Sequence, residues 1–357
     1  MRTISIHHGG EVFSYPEDER DSLIDFSINV NPLGMSPKGK WALLQALDRD
    51  VLRYPDTEAR DLRAALSERY KVQEKQITLG NGATELMYML LQLLRPKRVI
   101  IPEPAFGEYR LSAIAAGCEI TSIPLNEYDF SLPVDAILKP MTEDFLIYLG
   151  NPNNPDGRLL EEEALKKILQ EAEQKNGHVV VDESFIDFGH GKSYRSLCAA
   201  HPSLIVVMSL TKFYACPGLR VGCAFSSPEI ASALAGRLIP WHINGPVQTY
   251  MTAALSDTNY IRQSVSYCAE QKKKLSAGLA GYEQIRQFPG YANYILCKLS
   301  PSAGTVSQLE DTLRPYHILI RNCSNYTHLS EYWFRVAVRK ESENNQLLSA
   351  FRKALNI

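Results

Sequence analysis

Short, mostly apolar runs, several rich in β-branched residues, recur along this chain, each closed by a polar residue, a proline or a glycine. They occupy residues 99–101 (Val-Ile-Ile), 145–149 (Phe-Leu-Ile-Tyr-Leu), 178–181 (His-Val-Val-Val) and 204–208 (Leu-Ile-Val-Val-Met). Such runs read as strands buried on both faces. Helical patterns at 106–116 and 161–174 separate them. Buried strands alternating with helices specify an α/β fold on a mostly parallel sheet covered on both sides. Ligands of these sheets collect beyond the carboxyl ends of the strands. Asn154, Asp182 and Lys212 each follow a strand end, so one pocket can hold all three.

Upstream, helices are expected at 37–47 and 61–70. A strand at 77–79 runs into Gly80-Asn-Gly-Ala-Thr-Glu85, ahead of a mostly apolar helix at 86–94. First-turn helix amides lack partners within the helix and attract anions; the plain alternative is a tight strand-to-helix turn. Around Pro240-Trp-His-Ile-Asn-Gly-Pro246 the pattern changes. A long helix over about 247–279, with room for interruptions, leads to strands at 294–297, 318–320 and 333–338 and helices at 305–313 and 343–354. The reading is an N-terminal arm over 1–36, a large α/β domain over 37–245 and a smaller α+β domain over 246–357. The arm is either mobile or folded over a pocket, with His8 and Asn31 as polar contacts.

At 357 residues the chain is long enough for two domains. Its formal net charge of −2 lacks the basic excess of a nucleic-acid binder. Seven scattered cysteines, with no Cys-x-x-Cys pair, point to reduced thiols, no metal site and a cytoplasmic setting. No apolar run reaches the roughly 20 residues that span a bilayer, so no membrane role is expected.

The most reactive stretch is Ser209-Leu-Thr-Lys212-Phe-Tyr-Ala-Cys-Pro-Gly-Leu-Arg220. A lysine at a buried strand end is costly to dehydrate unless its amine is neutral or covalently occupied; the ordinary alternative is a solvated surface lysine. Ser209, Thr211 and Arg220 suit a phosphate. A lysine beside a phosphate cradle points to pyridoxal phosphate held as a Schiff base. That cofactor also needs a carboxylate against its ring nitrogen, a role for Asp182, and an apolar face, a role for Phe106. Asn154 suits its phenolic oxygen. Taken singly, the same residues read as a helix cap, a core aromatic and an Asn-Pro turn. Arg321 ends one strand of the smaller domain and Arg335 lies inside another, where burial demands an anionic partner; surface ion pairing is the alternative for each.

Together with Asn-Pro-Asn-Asn-Pro-x-Gly at 151–157, Val-Asp-Glu-x-Phe at 181–185 and Arg-Tyr-Pro-Asp at 53–56, the lysine run resembles the class I/II aminotransferases over essentially the whole chain. The resemblance implies a fold-type I pyridoxal-phosphate architecture and a homodimer with active sites at the subunit interface. It makes Lys212 the Schiff-base lysine and Asp182 the partner of the ring nitrogen. Gly82, Ala83, Ser209, Thr211 and Arg220 would hold the cofactor phosphate, and Tyr54 would reach it from the other subunit. His8-Gly-Gly, the run from Asp25 to Met35, Ile318-Leu-Ile-Arg321-Asn-Cys and Tyr332-Trp-Phe-Arg335-Val-Ala-Val-Arg narrow the likeness. They look like the threonine-phosphate decarboxylase family, which makes aminopropanol phosphate for cobalamin assembly. That likeness makes His8, Gly9, Asn31, Asn154, Arg321 and Arg335 contacts for a doubly anionic small molecule, O-phospho-L-threonine or O-phospho-L-serine. Related aminotransferases generally carry tyrosine three residues after the ring aspartate; Phe185 stands here, as in the decarboxylases. Glu11 and Asp156 depart from the family's usual asparagine and threonine. Histidinol-phosphate aminotransferase is the alternative reading.

Overall fold

The computed structural model describes residues 9–355. Its main sheet has seven strands in the order Ile77–Gly80, Gly222–Phe225, Leu204–Ser209, His178–Asp182, Phe145–Gly150, Arg98–Glu103, Glu119–Pro124. The last five run parallel, and Gly222–Phe225 is antiparallel to both of its neighbours. Each of the four apolar runs lies inside this sheet. Along Leu204–Ser209, Ile205 and Val207 pack on one face with Leu86, Met87 and Leu90 of the helix Ala83–Leu94. Leu204, Val206 and Met208 pack on the other face with Leu165 and Ile168 of Glu162–Gln174. Burying such a side chain contributes roughly 1.5–3 kcal/mol, so helices on both faces follow from uniformly apolar strands.

Beyond the four apolar runs and the short strand expected at 77–79, two strands of the sheet have no signal in the sequence. Glu119–Pro124 is a partly exposed edge strand with sequence Glu-Ile-Thr-Ser-Ile-Pro. Gly222–Phe225 (Gly-Cys-Ala-Phe) is buried, but its side chains are mostly too small to give the pattern.

A second, antiparallel sheet orders its strands Arg321–Asn322, Trp333–Ala337, Tyr294–Leu299, Ile285–Phe288. The expected strand at 318–320 divides: Ile318–Leu319 pairs in parallel with Ile24–Asp25, and the chain then changes sheets. The N-terminal segment is thereby stitched to the C-terminal part of the chain. The long helix is two helices, Gly245–Leu255 and Thr258–Leu279. Asp257 separates them, capping the second through Tyr260 N at 3.1 Å and accepting from Ser36 Oγ at 2.7 Å. Among the described residues no helix is long and apolar enough to cross a membrane, and no cluster of three ligating side chains could hold a metal ion.

The register aligns the strand ends. Gly150 lies opposite Asp182, and Asp182 opposite Val207. The turn carrying Asn154, the Asp182 carboxylate and the Ser209–Lys212 loop therefore emerge on one edge of the sheet, facing the second sheet.

Candidate active site

A cavity of about 460 Å³ opens at that edge. Lys212 stands half-buried in it, with its ammonium 5.7 Å from the centre of the Phe185 ring. Among the described residues no carboxylate lies within ion-pairing distance of Lys212, Arg220 or Arg335. Burial lowers the Lys212 amine to about 8, and the charges of Arg220 and Arg335 push the same way against the opposing pull of Asp182. Asp182 is held by Tyr109 Oη, which donates to Oδ2 at 2.8 Å, and by Ser184 N, which donates to Oδ1 at 2.9 Å. Ser184 Oγ in turn accepts from Ser209 N at 3.0 Å, tying the aspartate loop to the lysine loop.

Beside the lysine lies an anion cradle. The helix Ala83–Leu94 begins with no side-chain cap, and Ala83 and Thr84 line the cavity. Its first-turn amides and dipole favour negative charge. Ser209 Oγ and Thr211 Oγ1 lie 2.9 Å apart on the facing loop. Arg220 crosses the turn: a Cβ on Gly82 would lie 2.6 Å from Arg220 Nη2, and Gly82 itself has φ +88°. Arg220 is held at φ 59°, ψ 91°, a strained backbone of the kind that collects at functional sites.

The opposite wall comes from the second sheet and the N-terminal segment. Arg335 is 4% exposed. Its Nη2 donates to Ser27 O at 3.0 Å and its Nη1 to Asn154 Oδ1 at 2.5 Å. With its amide oxygen turned inward, Asn29 accepts from both Nη1 and Nη2 at 3.1 Å. Nε of Arg335 is buried without a partner, an unmet donor that an incoming anion could satisfy. Arg321 joins this wall with its guanidinium over the Tyr326 ring at 5.2 Å. Gly9 lies against Ser27, where a Cβ would come within 2.4 Å of Ser27 O.

The class I and II aminotransferase model matches residues 21–351. The chain belongs to that family. It is 36% identical to the threonine-phosphate decarboxylase of Salmonella typhimurium over 338 residues, covering 94% of this chain and 92% of that one. The histidinol-phosphate aminotransferase from Clostridium acetobutylicum superposes with a TM-score of 0.86 at 30% identity, covering 94% of this chain and 99% of that one. The L-threonine-O-3-phosphate decarboxylase from Porphyromonas gingivalis gives 0.81 at 25%, covering 93% and 99%.

Pyridoxal phosphate, the cofactor of this family, fits the donor set. The uncapped helix start, the paired hydroxyls and Arg220 suit its phosphate, Lys212 its aldehyde, Asp182 its ring nitrogen and Phe106 its apolar face. Gly9, Ala83, Phe106, Asn154, Asp182, Ser209, Thr211, Lys212, Arg220, Arg321 and Arg335 all line the one cavity, and Gly82 shapes it from behind Arg220.

Asn31 is a correction. It is 3% exposed and does not line the cavity, and its Nδ2 lies 2.7–2.9 Å from Phe213 O, Tyr260 Oη and Ser264 Oγ, more acceptors than its two hydrogens need. Its backbone N donates to Lys212 O at 2.9 Å, so it fixes the lysine loop, and Asn29 two residues earlier takes the cavity position. Tyr54, expected to act on the other subunit's site, is 80% exposed, and its ring lies tilted against Trp241 with ring centres 4.5 Å apart. His8 lies outside the described residues. Glu11 lines a neighbouring depression with Glu310 and Arg314. Asp156 is buried, accepting from Arg158 N at 2.8 Å and from Asn153, and burial raises it to about 6. Tyr109, Ser184, Asn29 and Tyr326 were missed. Only Asn29 had a signal, the alternation of polar residues at 25, 27, 29 and 31.

Proposed function

We propose that this chain is a pyridoxal-phosphate-dependent decarboxylase of O-phospho-L-threonine, releasing CO₂ and the phosphorylated amino alcohol destined for cobalamin assembly. The observation that carries the reading is the pairing of a lysine–aspartate–anion cradle with a second wall bearing Arg335, Arg321 and an unmet buried donor. The similarity to a threonine-phosphate decarboxylase over nearly the whole of both chains supports it.

When bound, the cofactor supplies an electron sink for the bond that breaks at the substrate's Cα. Asp182, steadied by Tyr109 and Ser184, would keep a proton on the ring nitrogen through the attraction of opposite charges. Lys212 would carry the aldehyde and, once released, would return a proton to Cα. An amine lowered to about 8 is suited to exchanging a proton near neutral pH. Arg335 and Arg321, with Gly9 and His8 in the N-terminal segment, would grip the substrate's phosphate and carboxylate. Fixing both anions would set which bond at Cα is presented for cleavage, and holding the carboxylate in that place would favour its loss as CO₂. Phe185, in place of a hydroxyl donor, leaves Asn154 to serve the ring oxygen.

We read the molecule as a homodimer. Trp41, Leu44, Val51, Leu52, Tyr54 and Ile239 are each at least 60% exposed, more apolar surface than a monomer usually shows to water in one region. Tyr54 from that face would complete the partner's phosphate cradle.

The test is product analysis with O-phospho-L-threonine, O-phospho-L-serine and histidinol phosphate. The expected result is CO₂ and a phosphorylated amino alcohol from phosphothreonine. A protein that transaminates histidinol phosphate and frees no CO₂ from either phosphoamino acid is instead an aminotransferase, the reading that the 30% identical Clostridium structure favours.

A further inference from the structure

Asn154 carries two donors on one oxygen: Arg335 Nη1 at 2.5 Å and Tyr326 Oη at 3.1 Å. A guanidinium can only donate, so the amide oxygen is fixed toward Arg335. The Asn154 NH₂ group must then point away from both donors, in a residue that lines the cavity beside Lys212 and Asp182. The two partners of this oxygen have different origins from Asn154 itself. Asn154 follows the strand Phe145–Gly150 of the main sheet, whereas Tyr326 lies in the loop between Arg321–Asn322 and Trp333–Ala337 of the second.

That loop is seated by its own contacts. Tyr326 N donates to Cys323 O and Leu329 N to Tyr326 O, both at 3.0 Å, and the Arg321 guanidinium covers the Tyr326 ring. Two residues on, His328 Nε2 meets Ser122 Oγ at 3.2 Å on the edge strand of the main sheet. The same serine hydroxyl bonds to the buried Glu103 carboxylate. The loop therefore bridges the two sheets, and one hydroxyl carries its position to Asn154.

Resting on the functional reading above, we infer that Tyr326 is a positioning residue. Its hydroxyl, together with Arg335, locks the Asn154 amide so that an N–H faces the cofactor's ring oxygen while the loop is seated. A donor to that oxygen stabilises its anionic form and lowers the pH at which the bound cofactor loses its proton. Loosening the donor raises that pH.

The test is a pH titration of the absorption of the pyridoxal phosphate bound to purified parent and Tyr326→Phe, a change that keeps the ring over which Arg321 lies. The expected midpoint rises by about half a unit to one unit, the worth of a hydrogen bond converted to pH. kcat/KM for O-phospho-L-threonine falls roughly 3- to 10-fold, and the melting temperature stays at the parental value. Because Tyr326 acts through Asn154, an Asn154→Ala, Tyr326→Phe double variant titrates no higher than Asn154→Ala alone. A Tyr326→Phe variant that titrates at the parental midpoint overturns the inference and leaves the functional reading standing, as does a double variant that adds the full shift. A parental protein that binds no cofactor overturns both.

Discussion

The two walls of the cavity are built to opposite specifications. On the main-sheet side the carboxylate is already braced, with both oxygens of Asp182 accepting a donor and the two loop hydroxyls facing each other, while among the described residues Lys212, Arg220 and the uncapped helix start are left without an anion. On the side of the second sheet, Arg335 sits buried with no carboxylate and one unmet N–H. A buried guanidinium left in that state is costly, and the fold tolerates it only because carbonyl and amide oxygens from Ser27, Asn29 and Asn154 share the charge. Each wall awaits an anion, the first beside a lysine and a braced carboxylate, the second around a buried guanidinium with no such anchor. A lysine that can hold an aldehyde covalently suits the first wall to a resident group, and the lack of such an anchor suits the second to a molecule that comes and goes.

The hardest blow to this division is aimed at the first wall. Lys212→Ala should lower turnover by about 10³-fold or more, since it removes both the covalent anchor and the proton carrier, and the yellow colour of the bound cofactor should vanish with it. Parental turnover in that variant would end the proposal. On the second wall, Arg335→Gln should cost about 10²-fold or more in kcat/KM for O-phospho-L-threonine while cofactor absorption is retained. If the variant instead loses the cofactor, Arg335 belongs to the resident wall and the contrast collapses. A gentler test uses pH. Burial places the Lys212 amine near 8, so the reactive neutral form grows as pH rises through that value. The rate at which cofactor-free enzyme captures pyridoxal phosphate should climb with a midpoint near pH 8; a climb that continues toward the ordinary lysine range near pH 10.5 would mean that the amine is not held in a dehydrated setting.

How legible each wall was in the sequence follows from the same contrast. The main-sheet wall hangs on strands whose both faces are buried, and such strands announce themselves as apolar runs. Lys212 and Asp182 could be placed because they punctuate those runs. The second wall is made by loops and by a strand that changes sheets, where no periodicity tells a cavity residue from its neighbour. Asn29 and Asn31 are both buried, both two residues from a polar neighbour, and only the packing of Tyr260 and Ser264 against the second one decides which of them faces the cavity. Tyr326 is one tyrosine among 18, and its partner is 172 residues away. The strand Gly222–Phe225 stayed hidden for a simpler reason: two of its four residues, Gly222 and Ala224, have almost no side chain to pattern.

The smallest expected effect cuts closest to the division of labour. Phe185 belongs to the first wall, three residues beyond Asp182, buried edge-on against Tyr294 at 5.2 Å and within 5.7 Å of the Lys212 amine. Phe185→Tyr adds one hydroxyl there without removing any contact with the second wall. A new donor near the cofactor is worth about one hydrogen bond, so kcat should change by roughly fivefold or less, with KM for O-phospho-L-threonine unchanged. CO₂ should remain the product, because the orientation of the breaking bond is the business of the arginines. Product analysis of this one variant therefore separates two origins of reaction choice. If Phe185→Tyr yields keto acid at the expense of CO₂, the choice lies in the electronics of the resident wall, and the unmet arginine opposite governs affinity alone.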